Sequence, residues 1–290
     1  NDRMHFYYRS QFVGFGDPFM NFGLSFDYAL KKKDPELPNN IGIGGFIESE
    51  NMLSGALQKN TISLNIADRI FLDPSNERYI SLGLGTTCAT RYLDVTKLTF
   101  SDQYNSGRLF LNSTLETFQK YPSFFSSNAG LSYVVNDINS FFQMGYGLHY
   151  INRLPSETIN SLELTNAFLF NAMINYEVQT PSLTSIFLHS GYEKRLEKNY
   201  IDAGIAVGLP LFYSINAPDN KIYFGVNYRI KDATVPYIQL NYNQYKFGVS
   251  YDFYQNDLTL ANISSKTFEI SITKSIRKRF GRNYQGLLNY

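Results

Sequence analysis

Apolar and polar side chains alternate along most of this chain. In residues 19–30 the apolar positions share one face and the small or polar positions share the other: Met20, Phe22, Leu24, Phe26, Tyr28 and Leu30 against Asn21, Gly23, Ser25, Asp27 and Ala29. The same division recurs in residues 222–230 and 245–253. A period of two places successive side chains on opposite faces of a β-strand, so the pattern predicts two-faced strands.

About fourteen such runs follow one another through the chain. They fall near residues 4–13, 19–30, 41–49, 57–71, 78–91, 123–135, 138–151, 166–178, 182–194, 198–213, 220–230, 233–243, 244–254 and 266–280. Most runs have about nine to fourteen residues, whereas soluble strands most often have about five or six and a strand tilted across a bilayer needs about 9–11. The lengths and the even number of runs favour a transmembrane barrel.

The connections between the runs give a second indication. If both chain ends lie in the periplasm, the odd-numbered connections should be long outer loops and the even-numbered ones short turns. The long connections are residues 92–122, 152–165 and 255–265, and the compact ones are 73–77, 136–137, 179–181, 216–219 and 243–244. Residues 14–18 are short for an outer loop and residues 31–40 are long for an inner turn.

These patterns predict an all-β fold, a transmembrane antiparallel up-and-down β-barrel of about 14 strands. The barrel would span residues 1–280, and residues 281–290 would form a short periplasmic C-terminal tail. No stretch approaches the ~18 consecutive apolar residues that a membrane helix needs. A soluble two-sheet sandwich is the alternative, but its strands should be shorter. We expect the outer membrane as the location, with a signal peptide or other upstream residues missing before Asn1.

Charged residues near the middle of the runs share the polar face. We therefore expect the following side chains to face the lumen: Arg9, Asp27, Arg91, Asp202, Arg229, Asp252 and Glu269. Tyrosines at the ends of the runs are expected to form aromatic belts at the two headgroup levels: Tyr7, Tyr8, Tyr79, Tyr92, Tyr150, Tyr192, Tyr213, Tyr242 and Tyr254. The pattern leaves open whether the lumen is water-filled or narrowed by inner side chains.

Composition and motifs argue against several classes of function. The chain has 26 Lys plus Arg against 25 Asp plus Glu, so no strong field attracts nucleic acid and we expect no such partner. A single cysteine, Cys88, allows no internal disulfide. The three histidines (His5, His149 and His189) lack metal-ligand spacing, and no nucleophile, phosphate-loop or dinucleotide motif occurs. We expect no catalysis, metal or cofactor, and an outer-membrane enzyme is the weakest hypothesis.

A basic run closes the last strand. It consists of Lys274, Arg277, Lys278 and Arg279. Such a run is either a solvated periplasmic end or a contact for anionic groups or an acidic periplasmic partner. The sequence leaves both interpretations open.

Several segments resemble one family as a set. They are Tyr8-Arg-Ser-Gln-Phe-Val-Gly-Phe, Asn128-Ala-Gly-Leu-Ser-Tyr, Gly145-Tyr-Gly-Leu-His-Tyr-Ile-Asn-Arg-Leu-Pro, and Gly225-Val-Asn-Tyr-Arg-Ile-Lys-Asp-Ala. Together they are similar to the PorP/SprF family, membrane proteins of the type IX secretion system of Bacteroidota. In the first segment, Phe12 stands where the family usually has Trp.

The resemblance implies an outer-membrane accessory of type IX secretion. Such a protein would work with a cognate secreted surface protein, for example a gliding adhesin with a C-terminal sorting domain. It would also contact periplasmic components of the secretion and gliding apparatus, besides outer-membrane lipid and lipopolysaccharide. Candidate partner-binding residues lie in or beside two long loops: Tyr104, Arg108, Phe110, His149, Asn152, Arg153 and Pro155. A diffusion channel or transporter for small solutes is the alternative function.

Overall fold

The computed structural model consists of fourteen strands joined by turns and loops. The structure describes residues 2–13, 17–30, 40–103, 123–152, 168–195, 198–211, 220–255 and 266–276. The strands are β1 (Arg3–Val13), β2 (Phe19–Ala29), β3 (Ile41–Met52), β4 (Leu57–Phe71), β5 (Arg78–Leu93), β6 (Phe124–Asn136), β7 (Ser140–His149), β8 (Leu169–Gln179), β9 (Ser185–Arg195), β10 (Lys198–Pro210), β11 (Lys221–Arg229), β12 (Ala233–Tyr242), β13 (Tyr245–Tyr254) and β14 (Lys266–Ser275). Within these described residues, three short 3₁₀ turns occupy Leu53–Gly55, Val95–Lys97 and Ser101–Gln103.

Every strand pairs antiparallel with its neighbours in the sequence, and β1 pairs with β14 to close the barrel. The closing register runs from Arg3 opposite Ser275 to Ser10 opposite Phe268, and it shifts between Ser10 and Val13. The predicted antiparallel barrel of about 14 strands is therefore confirmed. Among the described residues, no helix is long and apolar enough to cross a membrane.

The two faces of the wall have opposite chemistry. Large apolar side chains on the outward face are exposed, for example Leu64, Leu84 and Ile238. Polar side chains on the inward face are buried, for example Asn175 and Gln239. A soluble sandwich would bury its apolar faces against each other, so the closed sheet with its apolar face outward excludes that alternative.

Both ends of the described chain lie at the same end of the barrel, which we call the terminal end. The connections at the opposite end include residues 94–123, 150–168 and 255–265, which are long, as expected. Residues 53–56, 196–197 and 230–232 also lie there and are short. Long and short connections therefore divide between the two ends only in part.

The barrel wall is higher at β4 and β5 than at β11. Strands β4 and β5 have 15 and 16 residues, whereas β11 has nine. The N-terminal residues of β6 pair with β5 from Phe124 onward, but regular pairing of β6 with β7 starts only at Ala129. The first residues of β6 therefore have no partner on β7, and Ile151 and Asn152, which follow β7, bond to them instead.

The expected tyrosine belts form only in part. Tyr92 and Tyr242 are exposed on the outward face, and the ring of Tyr8 packs on Phe268. Tyr7 and Tyr254 point inward instead, because they have the same parity as the inward residues of their strands. Tyr79 is also inward, packed against a buried pair formed by Val134 and Phe141. The belt prediction is wrong for these three tyrosines, and Tyr213 lies outside the described residues.

Candidate functional site

A network of charged side chains runs along the inner face of the barrel wall from β1 to β11. Arg9 donates from Nη2 to Asp252 Oδ2 at 3.0 Å, and Arg229 donates to the same oxygen. Arg9 Nη1 lies 3.7 Å from Glu269 Oε2, and Arg229 Nη1 lies 3.4 Å from Asp232 Oδ2. One carboxylate thus joins two guanidinium groups, and each guanidinium has a second acidic neighbour.

The register explains why these side chains meet. Arg9 stands opposite Glu269, and Ser250, two residues before Asp252, stands opposite Glu269 on the other side. The side chain of Asp252 is only 4% exposed. A buried carboxylate requires charged partners because its desolvation costs on the order of several kcal/mol. The two arginines supply them.

A second network lies beside the first on β8 to β11. His189 Nε2 is 2.8 Å from Asp202 Oδ2, and His189 Nδ1 is 2.7 Å from Asn175 Oδ1. Asn227 donates from Nδ2 to Asp202 Oδ2 at 3.4 Å. Gly191 leaves room for the Asp202 carboxylate, since a Cβ at Gly191 would stand 2.3 Å from Asp202 Oδ1. The imidazole is therefore held between an amide and a carboxylate.

The structure also places the other charged residues that were expected in the lumen. Asp27 pairs with Arg3 at the terminal end. Arg91 lies at the opposite end, with its guanidinium 5.8 Å from the ring centroid of Phe124. Five of the seven expected lumen residues (Arg9, Asp202, Arg229, Asp252 and Glu269) line one cavity of about 220 Å³, and Asp27 and Arg91 lie apart from it.

Sequence reasoning missed further inward polar groups. Glu48 accepts a hydrogen bond from Asn21 Nδ2 at 3.0 Å and another from the Tyr7 hydroxyl. Lys59 Nζ lies 2.6 Å from Glu50 Oε2. Glu48, Glu50 and Lys59 have the parity opposite to that of the exposed apolar residues of β3 and β4, so strict use of the period-two pattern would have found them.

Aromatic side chains fill part of the lumen on β9 to β12. Phe187, Ala206, Tyr223 and Tyr237 form one buried cluster, which we call the lumen cluster. The Tyr223 hydroxyl donates to Glu177 Oε1 at 3.0 Å. This side of the lumen is therefore packed like a protein core.

Small residues line the other side of the lumen. A hollow of about 350 Å³ lies along β4 to β8. Its wall includes a row of three glycines in register, Gly83 opposite Gly130 and Gly130 opposite Gly147. The hollow and the charged cavity share Asn171 and Met173 of β8. The lumen thus has a packed side, a charged cavity and a hollow with small side chains.

Two of the seven candidate partner-binding residues can be placed. His149 ends β7 on the inward face and contributes to the hollow. Asn152 lies at the opposite end, where its side chain bonds to the backbone of β6 at Ser127 and Phe125. The remaining candidates lie outside the described residues: Tyr104, Arg108, Phe110, Arg153 and Pro155.

The base of the longest loop is fixed to the barrel. The N–H of Asp94 donates to the carbonyl of Ala56 at 2.7 Å. The Thr96 hydroxyl donates to Asp94 Oδ1 at 2.6 Å, and this hydrogen bond lowers the pKa of the Asp94 carboxyl below its ordinary value. Lys97 Nζ reaches the carbonyl of Gly55 at 3.5 Å. The first residues of the loop are therefore held against the connection between β3 and β4.

The basic run is only partly described. Lys274 lies on the outward face of β14 at the terminal end, opposite Tyr245. Arg277, Lys278 and Arg279 lie outside the described residues. Within the described part of the chain, no group of three or more His, Cys, Asp or Glu side chains could hold a metal ion.

Comparison with known proteins gives one family and several barrels. The family model described as type IX secretion system membrane protein PorP/SprF matches residues 1–273. No curated protein matches the chain. Similar solved structures include the Acinetobacter baumannii outer membrane protein Omp33 (8% identity, 94% of this chain and 97% of that one, TM-score 0.46). Another is the P. putida toluene transporter TodX (8% identity, 96% and 90%, TM-score 0.45).

Proposed function

Because this chain belongs to the PorP/SprF family of type IX secretion system membrane proteins, we propose that it binds a cognate secreted surface protein and helps to export or anchor it. The partner class is an adhesin with a C-terminal sorting domain. The observation that carries the proposal is the family match over residues 1–273, combined with a closed outer-membrane barrel. Binding and anchoring need no active site, and the family is not an enzymatic one.

The lumen supports a binding role over free diffusion. The lumen cluster and the buried Glu177 occupy the side of the lumen between β8 and β12. Next to that packed side, the charged cavity provides side chains of both charge signs, and the hollow provides polar side chains. A polypeptide segment finds hydrogen-bond partners and ion-pair partners on such a surface.

A diffusion channel for small solutes is the second candidate function. The hollow along β4 to β8 favours it, because small side chains leave free volume next to the barrel wall. The two functions predict different behaviour of the purified protein. A channel conducts without a partner, whereas an anchor retains its partner through purification.

The test is affinity purification of the native protein with mass spectrometry of what stays bound. We expect a secreted surface protein to co-purify with the barrel. Replacing residues 104–122 by a short flexible linker should abolish retention, because this loop holds three of the candidate partner-binding residues. The replacement begins after Gln103, so the contacts of Asp94 and Lys97 at the loop base are kept.

The matched control replaces residues 256–265, another long loop at the same end of the barrel. That variant should retain the partner. Both variants should remain folded, which a heat-dependent shift in gel mobility reports. Equal retention by the two variants would remove the assignment to residues 104–122. Absence of any secreted surface protein from the wild-type sample would overturn the proposed function.

A further inference from the structure

Pro236 lies inside β12, on the outward face that it shares with Ile238. It pairs regularly with Val226 of β11. Toward β13 its place is opposite Tyr251, but within the described residues 233–254 no ladder pair forms there. Proline has no N–H and is therefore unusual in the interior of a sheet. The defect is confined to the boundary between β12 and β13, which we call the β12–β13 seam.

The register shows which hydrogen bond is missing. Tyr242 stands opposite Tyr245 across a two-residue turn, so every second pair from there exchanges two backbone hydrogen bonds. Pro236 falls on such a position, six residues before Tyr242. The carbonyl of Tyr251 therefore receives no hydrogen bond from β12, and the hydrocarbon of a bilayer supplies no donor in its place.

Between this defect and the opposite end of the barrel, β13 is held by a short stretch of β12. Two pairs join the strands there: Thr234 with Phe253 and Ala233 with Tyr254. The N–H of Gln255 then donates to the carbonyl of Asp232 at 2.7 Å. On the other side of β13, pairing with the described part of β14 ends at Asp252 opposite Thr267. The last residues of β13 therefore depend on few backbone contacts.

The charged cavity lies directly behind the β12–β13 seam. Val235 and Tyr237 of β12 line it, and so do Ser250 and Asp252 of β13. Arg229 of β11 forms its ion pair with Asp252 across β12. A side-chain contact on the lumen side thus spans the seam at the level where a backbone hydrogen bond is missing.

We propose that β12 and β13 separate between Pro236 and the opposite end of the barrel, and that this lateral opening joins the charged cavity to the outward face of the wall. The ion pair of Arg229 with Asp252 is the latch. Separation there breaks fewer backbone hydrogen bonds than separation along the regular part of the hairpin, from Tyr237 to Tyr242. The opening provides a path to the cavity that does not follow the barrel axis. This inference is independent of the proposed function.

The first test is hydrogen exchange of the purified full chain in detergent micelles, resolved by residue. The amide of Phe253 should exchange faster than that of Val249, which lies in the regular part of the hairpin. Pro236→Val supplies the missing N–H and should slow exchange at Phe253 about fivefold, the effect of one hydrogen bond. Asp252→Asn removes the latch and should accelerate it by about tenfold or more.

Ile238→Val is the matched control, because it changes an outward side chain of the same strand and keeps its N–H. It should leave exchange at Phe253 unchanged. Equal rates at Phe253 and Val249 in the wild type, or no effect of Pro236→Val, would overturn the proposal. No effect of Asp252→Asn would overturn the role of the latch.

The second test separates lateral opening from simple fraying of the strand end. The native thiol of Cys88 is exposed, so the background is Cys88→Ser. Val235→Cys then places a thiol on the lumen side of the seam, and Ser132→Cys places one on the lumen side of β6. A maleimide dissolved in the hydrocarbon of lipid vesicles should label the first variant and not the second. Adding Pro236→Val should slow that labelling about fivefold.

Equal labelling of the two thiols would mean that the reagent arrives through the lumen, and that result would overturn the lateral opening. So would the absence of labelling of Val235→Cys. A heat-dependent shift in gel mobility reports that each variant is folded. None of these outcomes bears on retention of a secreted protein.

Discussion

Asn152 completes the hydrogen-bond ladder of β6 at Ser127. Its Oδ1 accepts the N–H of Ser127 at 2.7 Å, and its Nδ2 donates to the carbonyl of Phe125 at 3.1 Å. The chain reaches this position because Tyr150, with a φ of 57°, turns away from the direction of β7. The N–H of Ile151 then donates to the carbonyl of Ser127 at 3.1 Å. A side-chain amide thus takes the place of a backbone amide on an edge that β7 does not cover.

Replacing Asn152 should loosen this edge without unfolding the barrel. Asn152→Ala removes both hydrogen bonds and should cost about 1–3 kcal/mol, since each bond contributes about 0.5–1.5 kcal/mol. Hydrogen exchange at the Ser127 amide should become faster. Asn152→Asp keeps the acceptor for Ser127 and should preserve most of the protection at that amide. Unchanged exchange in the alanine variant would contradict the role of Asn152 as an edge cap.

The shared carboxylate of Asp252 should be important for stability. Asp252→Asn leaves Arg9 and Arg229 near each other without the charge that joins them. Breaking a buried ion pair by removing one partner costs about 3–5 kcal/mol. Urea unfolding of the protein in lipid vesicles, followed by tyrosine fluorescence, measures this loss.

Asp27→Asn is the control for that variant. Asp27 also pairs with an arginine, but the side chains of Arg3 and Asp27 are 34% and 44% exposed. An exposed pair contributes about 0–1 kcal/mol, so this variant should remain close to wild type. A similar loss in both variants would show that the burial of Asp252 does not decide the effect.

The sequence predicted the fold well because, in a membrane strand, the local alternation of residues shows which face contacts lipid. Each run near the barrel middle alternates large apolar and small or polar residues, and lipid on one side enforces that alternation. Strand ends were less certain: the run expected at 266–280 ends as β14 at Ser275. The end of a strand depends on its partner, which a single run does not show.

The contents of the lumen were harder to predict, because they depend on register. Tyr7 was expected in a belt from its position near a strand end, although its parity is that of Arg9. Its partner Glu48 lies on a strand that does not adjoin β1. Asn152 likewise meets a residue 25 positions away in the chain. Parity assigns a face to each residue, but only the register of all strands assigns it a partner.

A side chain at position 225 should disturb the packing of the lumen cluster. A Cβ at Gly225 would stand 2.3 Å from Cζ of Tyr237, and Tyr237 is buried in the lumen cluster. The ring cannot move without disturbing its neighbours, so Gly225→Ala should destabilise the barrel by about 1–3 kcal/mol.

Gly130→Ala provides the comparison. A Cβ at Gly130 would meet only the carbonyl of Tyr146, at 3.5 Å, which is ordinary contact. This variant should unfold at nearly the wild-type urea concentration. Equal stability of the two alanine variants would mean that the lumen cluster is loosely packed.

The lumen cluster should also limit conductance. Phe187, Tyr223 and Tyr237 fill the lumen between β9 and β12, so the wild-type barrel in a planar bilayer should show no large, steady open state. Replacing Tyr223 and Tyr237 by alanine removes two aromatic rings and should produce larger or more frequent conductance steps. Replacing Tyr242, which lies on the outward face, by alanine should leave the recordings unchanged. A large steady conductance of the wild type, unaffected by these substitutions, would instead favour the diffusion channel, because solutes would then pass through a path that the lumen cluster does not obstruct.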